Sequence, residues 1–230
     1  MKGEAIRREL VNTLLRTDIH PRSLSQASEV IISGSSAGSL AVLLGIDQIA
    51  AQIRDGAKSN DAKDILTVRG LINSAFFMDY TSPGKINFKS PEEILRLFPV
   101  TARTIAVNGD DRIDYSTAFR DLFALANMSA GANPDCIKAH SEGVKRHNFL
   151  PASDCAFASN LLPHIKTPVF LLQSRNDQFQ IVQVLGQEDW RHLNARIINE
   201  FGDHLVTELQ IAIRGTAHGV YLDSCVHHGE

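Results

Sequence analysis

Ser36 stands in the run Ser33-Gly34-Ser35-Ser36-Ala37-Gly38, a G-x-S-x-G pattern. A serine hydroxyl is a weak nucleophile until a neighbouring base takes its proton. The pattern serves that chemistry when the serine sits on a sharp strand-to-helix turn that lifts its Oγ clear of the backbone. The flanks fit such a turn. Glu29-Val30-Ile31-Ile32 reads as a buried parallel strand, and Leu40, Leu43, Leu44, Ile46, Ile49 and Ile53 give a helix with a broad apolar face. A turn this tight strains the serine backbone and brings helix and strand so close that a Cβ at Gly34 or Gly38 would collide. A small-residue packing turn or an anion-binding nest is the plainer account of the same residues.

A strand–serine–helix elbow is the mark of the α/β-hydrolase fold, which delivers its triad in the order serine, acid, histidine. Two aspartates stand where the acid belongs. Asp79 follows the strand after the nucleophile, and Asp177 follows the next one; Asp177 is preferred because it lies in a compact strand–loop–helix. A helix cap or turn would account for either. Among nine histidines, the base should follow the acid near the C-terminus, which leaves His218, His227 and His228. His192 and His204 fall on a predicted helix and read as solvated. The adjacent pair His227-His228 has no carboxylate or cysteine at ligand spacing. Asp110, Asp111 and Asp114 lack the glycine and glutamate of a calcium loop and read as a solvated turn. Neither a metal nor a cofactor is expected.

The elements that must position these groups are legible in outline. Ile65–Ile72 reads as the second strand, leading into Asn73–Tyr80 at the strand edge where open sheets place ligands. Thr167–Ser174 reads as the third strand, and Gly219–Leu222 as a short last one. Helices are expected over about Glu4–Leu15, Pro91–Phe98, Ser116–Ala126, Cys136–Val144, Gln178–Leu185 and Trp190–Ile213, with a turn at Asn108–Asp111 and a polar connection over Arg54–Asp64. The fold class is therefore an α/β-hydrolase-like three-layer sandwich with a mostly parallel sheet. Residues 1–230 form one domain, and about 81–160 form a cap-like insertion. Residues 1–35 hold only one helix and one strand, so the strands that precede the nucleophile in this fold are expected to be missing. The Gly-rich loop that donates half of the oxyanion hole is expected to be missing with them.

Composition bounds the function. The chain has 230 residues with 43% hydrophobic content, mean hydropathy −0.09, net charge −3 and a pI near 6.3. These values suit one soluble domain with a real core and argue against nucleic acid or an acidic membrane as partner. No apolar stretch is long enough to span a bilayer, and the first ten residues lack the apolar core of a signal peptide. Cys136 and Cys155 flank a polar, irregular stretch and could close a loop in an oxidising compartment; three buried thiols, Cys225 included, would suit a reducing one. No C-x-x-C is present, which removes a structural zinc site.

Four blocks resemble the pectin acetylesterase family, which includes the Notum-type carboxylesterases. They are Ser33–Gly38; Val68–Leu71 with Ser74–Asp79; Ile165–Leu172 through Asp177–Ile181; and Ser224–His228. The resemblance implies Asp177 as the acid, His228 as the base, and the Ala37 N–H as one oxyanion donor. It implies that Phe77 and Phe157 face the acyl pocket, though core packing accounts for both equally. It also implies secretion and a Cys136–Cys155 disulfide. The chain departs from the family in lacking the upstream Gly-rich segment. It carries Ser39 where glycine is usual, and Gly229 where plant members have cysteine. Losing one oxyanion donor costs about a hundredfold to a thousandfold in rate.

The reading that follows is a serine carboxylesterase cleaving acetyl or acyl esters of a polysaccharide or protein through an acyl-enzyme. A catalytically impaired module of the same fold that binds a glycan or lipid is the alternative, as is a truncated gene model of an active esterase.

Overall fold

The computed structural model describes residues 3–19, 23–57, 66–80, 115–141, 151–185, 191 and 194–229. The expected helix at Pro91–Phe98, the turn at Asn108–Asp111, Asp114, His192 and Trp190 lie outside them.

Four strands form one sheet in the order β1 (Glu29–Ser35), β2 (Thr67–Asn73), β3 (Val169–Ser174), β4 (Gly219–Asp223). Every neighbouring pair is parallel, with Ser33 opposite Leu71, Leu71 opposite Phe170, and Leu172 opposite Tyr221. Parallel neighbours need crossover connections, and helices supply them. The described helices are α1 (Gly3–Leu15), α2 (Ala37–Ala57), α3 (Tyr115–Leu125), α4 (Pro134–Ser141), the single turn α5 (Ala158–Leu161), α6 (Gln178–Leu185) and α7 (Ala195–Ala212).

One apolar cluster joins α2 to the inner face of β2 and β3 through Leu43, Ile46, Ile72, Val169 and Leu171, and continues into Phe123, Phe157, Leu161, Phe201 and Leu205. A second, smaller cluster seats α1 on α2 through Val11, Ile49, Ala50 and Ile53. The opposite face of the sheet carries Ile31, Leu71, Phe170 and Tyr221, all exposed. The expectation of a buried first strand is therefore corrected. Ile31 is 61% exposed, because odd-numbered side chains of β1 point away from α2 onto the same outer face that exposes Leu71 and Phe170 of the inner strands.

Three boundaries also differ from the sequence reading. Helix α2 runs to Ala57, so Arg54 lies in its last turn and not in a connection. The last helix begins at Ala195, five residues later than expected, because the Asn194 side chain accepts from the Arg196 N–H at 2.8 Å and caps it. The described part of the helix at Cys136 begins earlier, at Pro134, a residue suited to a first turn.

Cys136 of α4 and Cys155 are bonded at 1.98 Å with their Cα atoms 6.1 Å apart. Cys225 is a free, exposed thiol. The disulfide also disposes of a metal reading. Cys136, His140 and Cys155 bring ligand atoms within 4.8 Å of one another, but both sulfurs are already committed to each other.

Candidate active site

The site forms at the C-terminal ends of β1, β3 and β4. Ser36 follows β1 directly, and its φ of 53° places a non-glycine residue in the left-handed region. Its N–H donates to Asn73 O at 2.9 Å, and its carbonyl accepts from Leu40 at 3.0 Å, so the turn is pinned to β2 on one side and to α2 on the other. A Cβ at Gly34 would meet backbone atoms of Gly38 and Ser39 at 2.6–2.7 Å, as expected for strand and helix in close approach. The expectation for Gly38 is corrected: a Cβ there would meet nothing within 4 Å. The close approach is made by Gly38's main chain against Gly34, so only the strand glycine is sterically required. Ser39 uses the side chain that glycine would lack. Its buried hydroxyl donates to Gly34 O and accepts the Asn73 N–H at 2.9 Å, tying β1 to β2 beneath the turn.

Two hydrogen bonds run outward from Ser36. The Ser36 Oγ lies 2.7 Å from His228 Nε2, and His228 Nδ1 lies 2.9 Å from Asp177 Oδ2. Asp177 is completely buried. Its Oδ2 also accepts from Gln173 Nε2 at 3.0 Å, and its Oδ1 accepts from the Gln180 N–H at 2.9 Å. Both glutamines are themselves fixed: Gln173 Oε1 accepts the Phe76 N–H, and Gln180 bridges Met78 N–H and Phe76 O. A hydroxyl bonded to an imidazole whose other nitrogen faces a buried, fully bonded carboxylate is an arrangement that activates a serine nucleophile.

His228 is positioned by the loop after β4. Ser174 Oγ donates to Cys225 O, Asn176 Nδ2 to Ser224 O at 3.1 Å, and the Gln178 N–H to His227 O at 3.1 Å. Gly229, at φ 74°, turns its N–H onto Ser74 Oγ at 2.9 Å; a Cβ there would be strained and would stand 3.0 Å from Ser35 Oγ.

The other candidates are occupied elsewhere. Asp79 forms a two-point ion pair with Arg120, which also reaches Asp154 at 2.9 Å and lies 4.8 Å over the Phe157 ring. His218 accepts the Val169 N–H at Nδ1 and faces Leu162 O with Nε2 at 3.2 Å. Burial lowers its pKa, which keeps it a neutral structural bridge. His227 Nε2 lies 3.0 Å from Asp223 Oδ2 at the end of β4. His204 is exposed, with its ring 5.1 Å from Tyr80.

Ala37 opens α2, so its N–H lacks an intrahelical acceptor and is free to face an anion. Residues 3–19 and 23–35 form α1, a short 3₁₀ turn at Leu24–Gln26 and β1, and none of these described residues makes a Gly-rich loop.

Phe77 is buried with its ring 6.3 Å from His228; Phe157 is buried one layer further in, 5.7 Å from Phe119. Phe179, which the sequence reading did not single out, is nearer the histidine than either, at 5.1 Å. Its position two residues after Asp177, on the first turn of α6, was the available signal. Tyr115 is buried with no partner for its hydroxyl, and burial together with the Asp177 charge pushes its pKa well up. A cavity of about 450 Å³ between α1, α2 and residues 126–131 is lined by none of the three hydrogen-bonded residues. It is lined by Arg7, Val42, Leu44, Ile49 and Met128 among others.

The sequence profile of the Pectinacetylesterase family matches residues 1–94 and 105–230. A palmitoleoyl-protein carboxylesterase NOTUM of Schmidtea mediterranea is 23% identical over 225 residues, 95% of this chain and 35% of its own. The palmitoleoyl-protein carboxylesterase notum2 of Xenopus laevis is 40% identical over 62 residues, 27% of this chain and 12% of its own. The Wnt deacylase Notum of Drosophila, in its solved structure, superposes with a TM-score of 0.63 at 22% identity, over 99% of this chain and 52% of that one. The chain therefore spans about half of that structure and about a third of the planarian relative. The fold expected from the elbow, a parallel sheet of the α/β-hydrolase kind, is the fold these structures share.

Proposed function

The chain belongs to the pectinacetylesterase family, and from that membership we propose a serine carboxylesterase acting through an acyl-enzyme. The observation that carries the proposal is the continuous hydrogen-bonded path Ser36 Oγ, His228 Nε2, His228 Nδ1, Asp177 Oδ2. Ser36 Oγ attacks the ester carbonyl as its proton passes to His228 Nε2. Asp177 holds Nδ1–H and stabilises the imidazolium. The Ala37 N–H, at the positive end of α2, donates to the developing oxyanion. The leaving alcohol takes the proton from Nε2. Water then attacks the acyl-enzyme, gives its proton to Nε2, and the acid leaves as Ser36 Oγ is reprotonated.

Phe77 borders the acyl group, and Phe157 supports it from behind. The chain acts as one domain, and Phe119 and Phe157 from the described part of the 81–160 stretch pack behind Phe77. The substrate is an acetylated polysaccharide or an acylated protein, and the buried disulfide supports an extracellular setting.

The test is intact-mass labelling of the purified chain with a fluorophosphonate, with Ser36→Ala alongside. One adduct, lost in the variant, is expected. A folded chain that takes no label counts for a binding module, or for a truncated form of an active esterase, and against this chain acting as an esterase by itself.

A further inference from the structure

Building on the esterase reading, we infer that Phe179 closes the acyl side of the site and restricts it to short acyl groups such as acetyl. The rings of Phe179, Phe77 and His228 stand in a triangle. Their centroids are 5.1 Å apart for Phe179 and His228, 6.0 Å for Phe77 and Phe179, and 6.3 Å for Phe77 and His228. Rings at these separations are in contact, edge or tilted face against one another. No methylene chain passes between them.

Behind Phe77 the packing continues. Phe119 lies 5.2 Å from Phe77, and both Tyr115 at 4.7 Å and Phe157 at 5.7 Å lie against Phe119. Phe77, Tyr115 and Phe157 are all buried. A long acyl chain running from Ser36 past His228 into the domain would have to displace this close-packed layer. A methyl group needs only the space at its outer surface.

Phe179 is the member of the layer that can be changed without unfolding it. It is 37% exposed, on the first turn of α6, and its ring lies against the imidazole. Removing it opens a slot along Phe77 that starts beside Ser36. This makes it a specificity residue, since a role confined to holding His228 would lower all esters equally.

The experiment compares kcat/KM for 4-nitrophenyl acetate, butyrate and octanoate in the wild-type chain, Phe179→Ala and Phe179→Trp. Phe170→Ala, on the exposed outer face of β3, is the control. Wild type should favour acetate over octanoate by at least about tenfold, and Phe179→Ala should narrow that ratio by about tenfold or more. Phe179→Trp should widen it, and Phe170→Ala should leave it unchanged. A wild-type chain that prefers octanoate, or an alanine variant with an unchanged ratio, overturns the inference while the esterase reading stands. A chain that neither hydrolyses an ester nor takes the fluorophosphonate label overturns both.

Discussion

Replacing Asp177 by asparagine tests the assignment of roles more sharply than removing the serine. The carboxylate accepts three hydrogen bonds: His228 Nδ1 and Gln173 Nε2 on Oδ2, and the Gln180 N–H on Oδ1. An amide offers one oxygen and must turn its NH₂ to one side. With oxygen toward His228, the NH₂ faces the Gln180 N–H, donor on donor. With the NH₂ toward His228, the oxygen satisfies Gln180, and Gln173 Nε2 still has Ser174 O at 3.2 Å. The second orientation leaves fewer donors stranded. It also forces Nδ1 to accept, which moves the imidazole proton to Nε2 and removes the base from Ser36. Either orientation removes the negative charge that stabilises the imidazolium. The expected loss in kcat is about 10⁴-fold, or about 5 kcal/mol of barrier. Stability should fall by only about 1–3 kcal/mol, the range for stranding one buried donor. The assay is kcat/KM on 4-nitrophenyl acetate beside urea unfolding, with Asp79→Asn as comparison. Asp79 lies in the Arg120 ion pair, so its variant should lose stability and change rate only a few-fold. An Asp177→Asn chain within tenfold of wild type, or an Asp79→Asn chain that loses the larger factor, would refute the assignment.

Two further outcomes follow from groups outside the Ser36, His228 and Asp177 path. Exchanging both Cys136 and Cys155 for serine opens a loop with a sequence separation of 19, and the chain-entropy estimate for a loop of that size is about 3 kcal/mol. A comparable fall in unfolding free energy is expected, with wild type under reducing agent moving toward the same value; an unchanged urea midpoint would contradict it. Asp121 is 6% exposed with one carboxylate oxygen unpartnered, and burial raises its pKa from 3.8 to about 6. The folded state then binds the proton more tightly than the unfolded chain, so stability declines as pH rises from about 4 to about 6. The full penalty above that window is about 3 kcal/mol. Asp121→Asn should flatten this part of the urea-midpoint profile and be more stable than wild type at pH 7.5; an unaltered profile would sink the account.

The backbone of this fold was largely legible because each element announces itself locally. Helix α6 begins and ends where its apolar run does, and β3 and β4 fall within two residues of the stretches read from pattern. What pattern could not supply is which side of an element faces the core. Glu29-Val30-Ile31-Ile32 has the composition of a strand buried on both faces, but among the described residues the outer face of the sheet is uncovered, and Ile31 faces solvent there with Leu71 and Phe170. Hydrophobicity records what a residue tolerates, and the neighbour that would cover it is a property of the assembled sheet. The two glycines of the elbow make the same point at atomic scale. Both satisfy G-x-S-x-G, yet only Gly34 points its missing Cβ at another backbone.

The candidate site divides along a similar line. Ser36, Asp177 and His228 could be named because a strand edge, a chain order and a spacing are one-dimensional features. The residues that hold them are not ordered that way. Gln173 and Gln180 flank Asp177 in sequence and look like ordinary polar positions, and only the folded chain turns both side-chain amides onto the backbone at Phe76 and Met78 while setting the Gln173 Nε2 and the Gln180 main-chain N–H on the carboxylate. Ser74 and Gly229 are 155 residues apart and meet in one hydrogen bond behind the histidine. These contacts decide whether three side chains picked from the sequence are held in a geometry that could act together. An imidazole free to rotate about its loop would satisfy the motif and still miss Ser36. Here the loop before His228 is held at Ser224, Cys225 and His227, and the residue after it is held at Gly229. Under the proposed esterase reading, the rate of acyl transfer should therefore depend on this scaffold of small polar residues as well as on Ser36, Asp177 and His228.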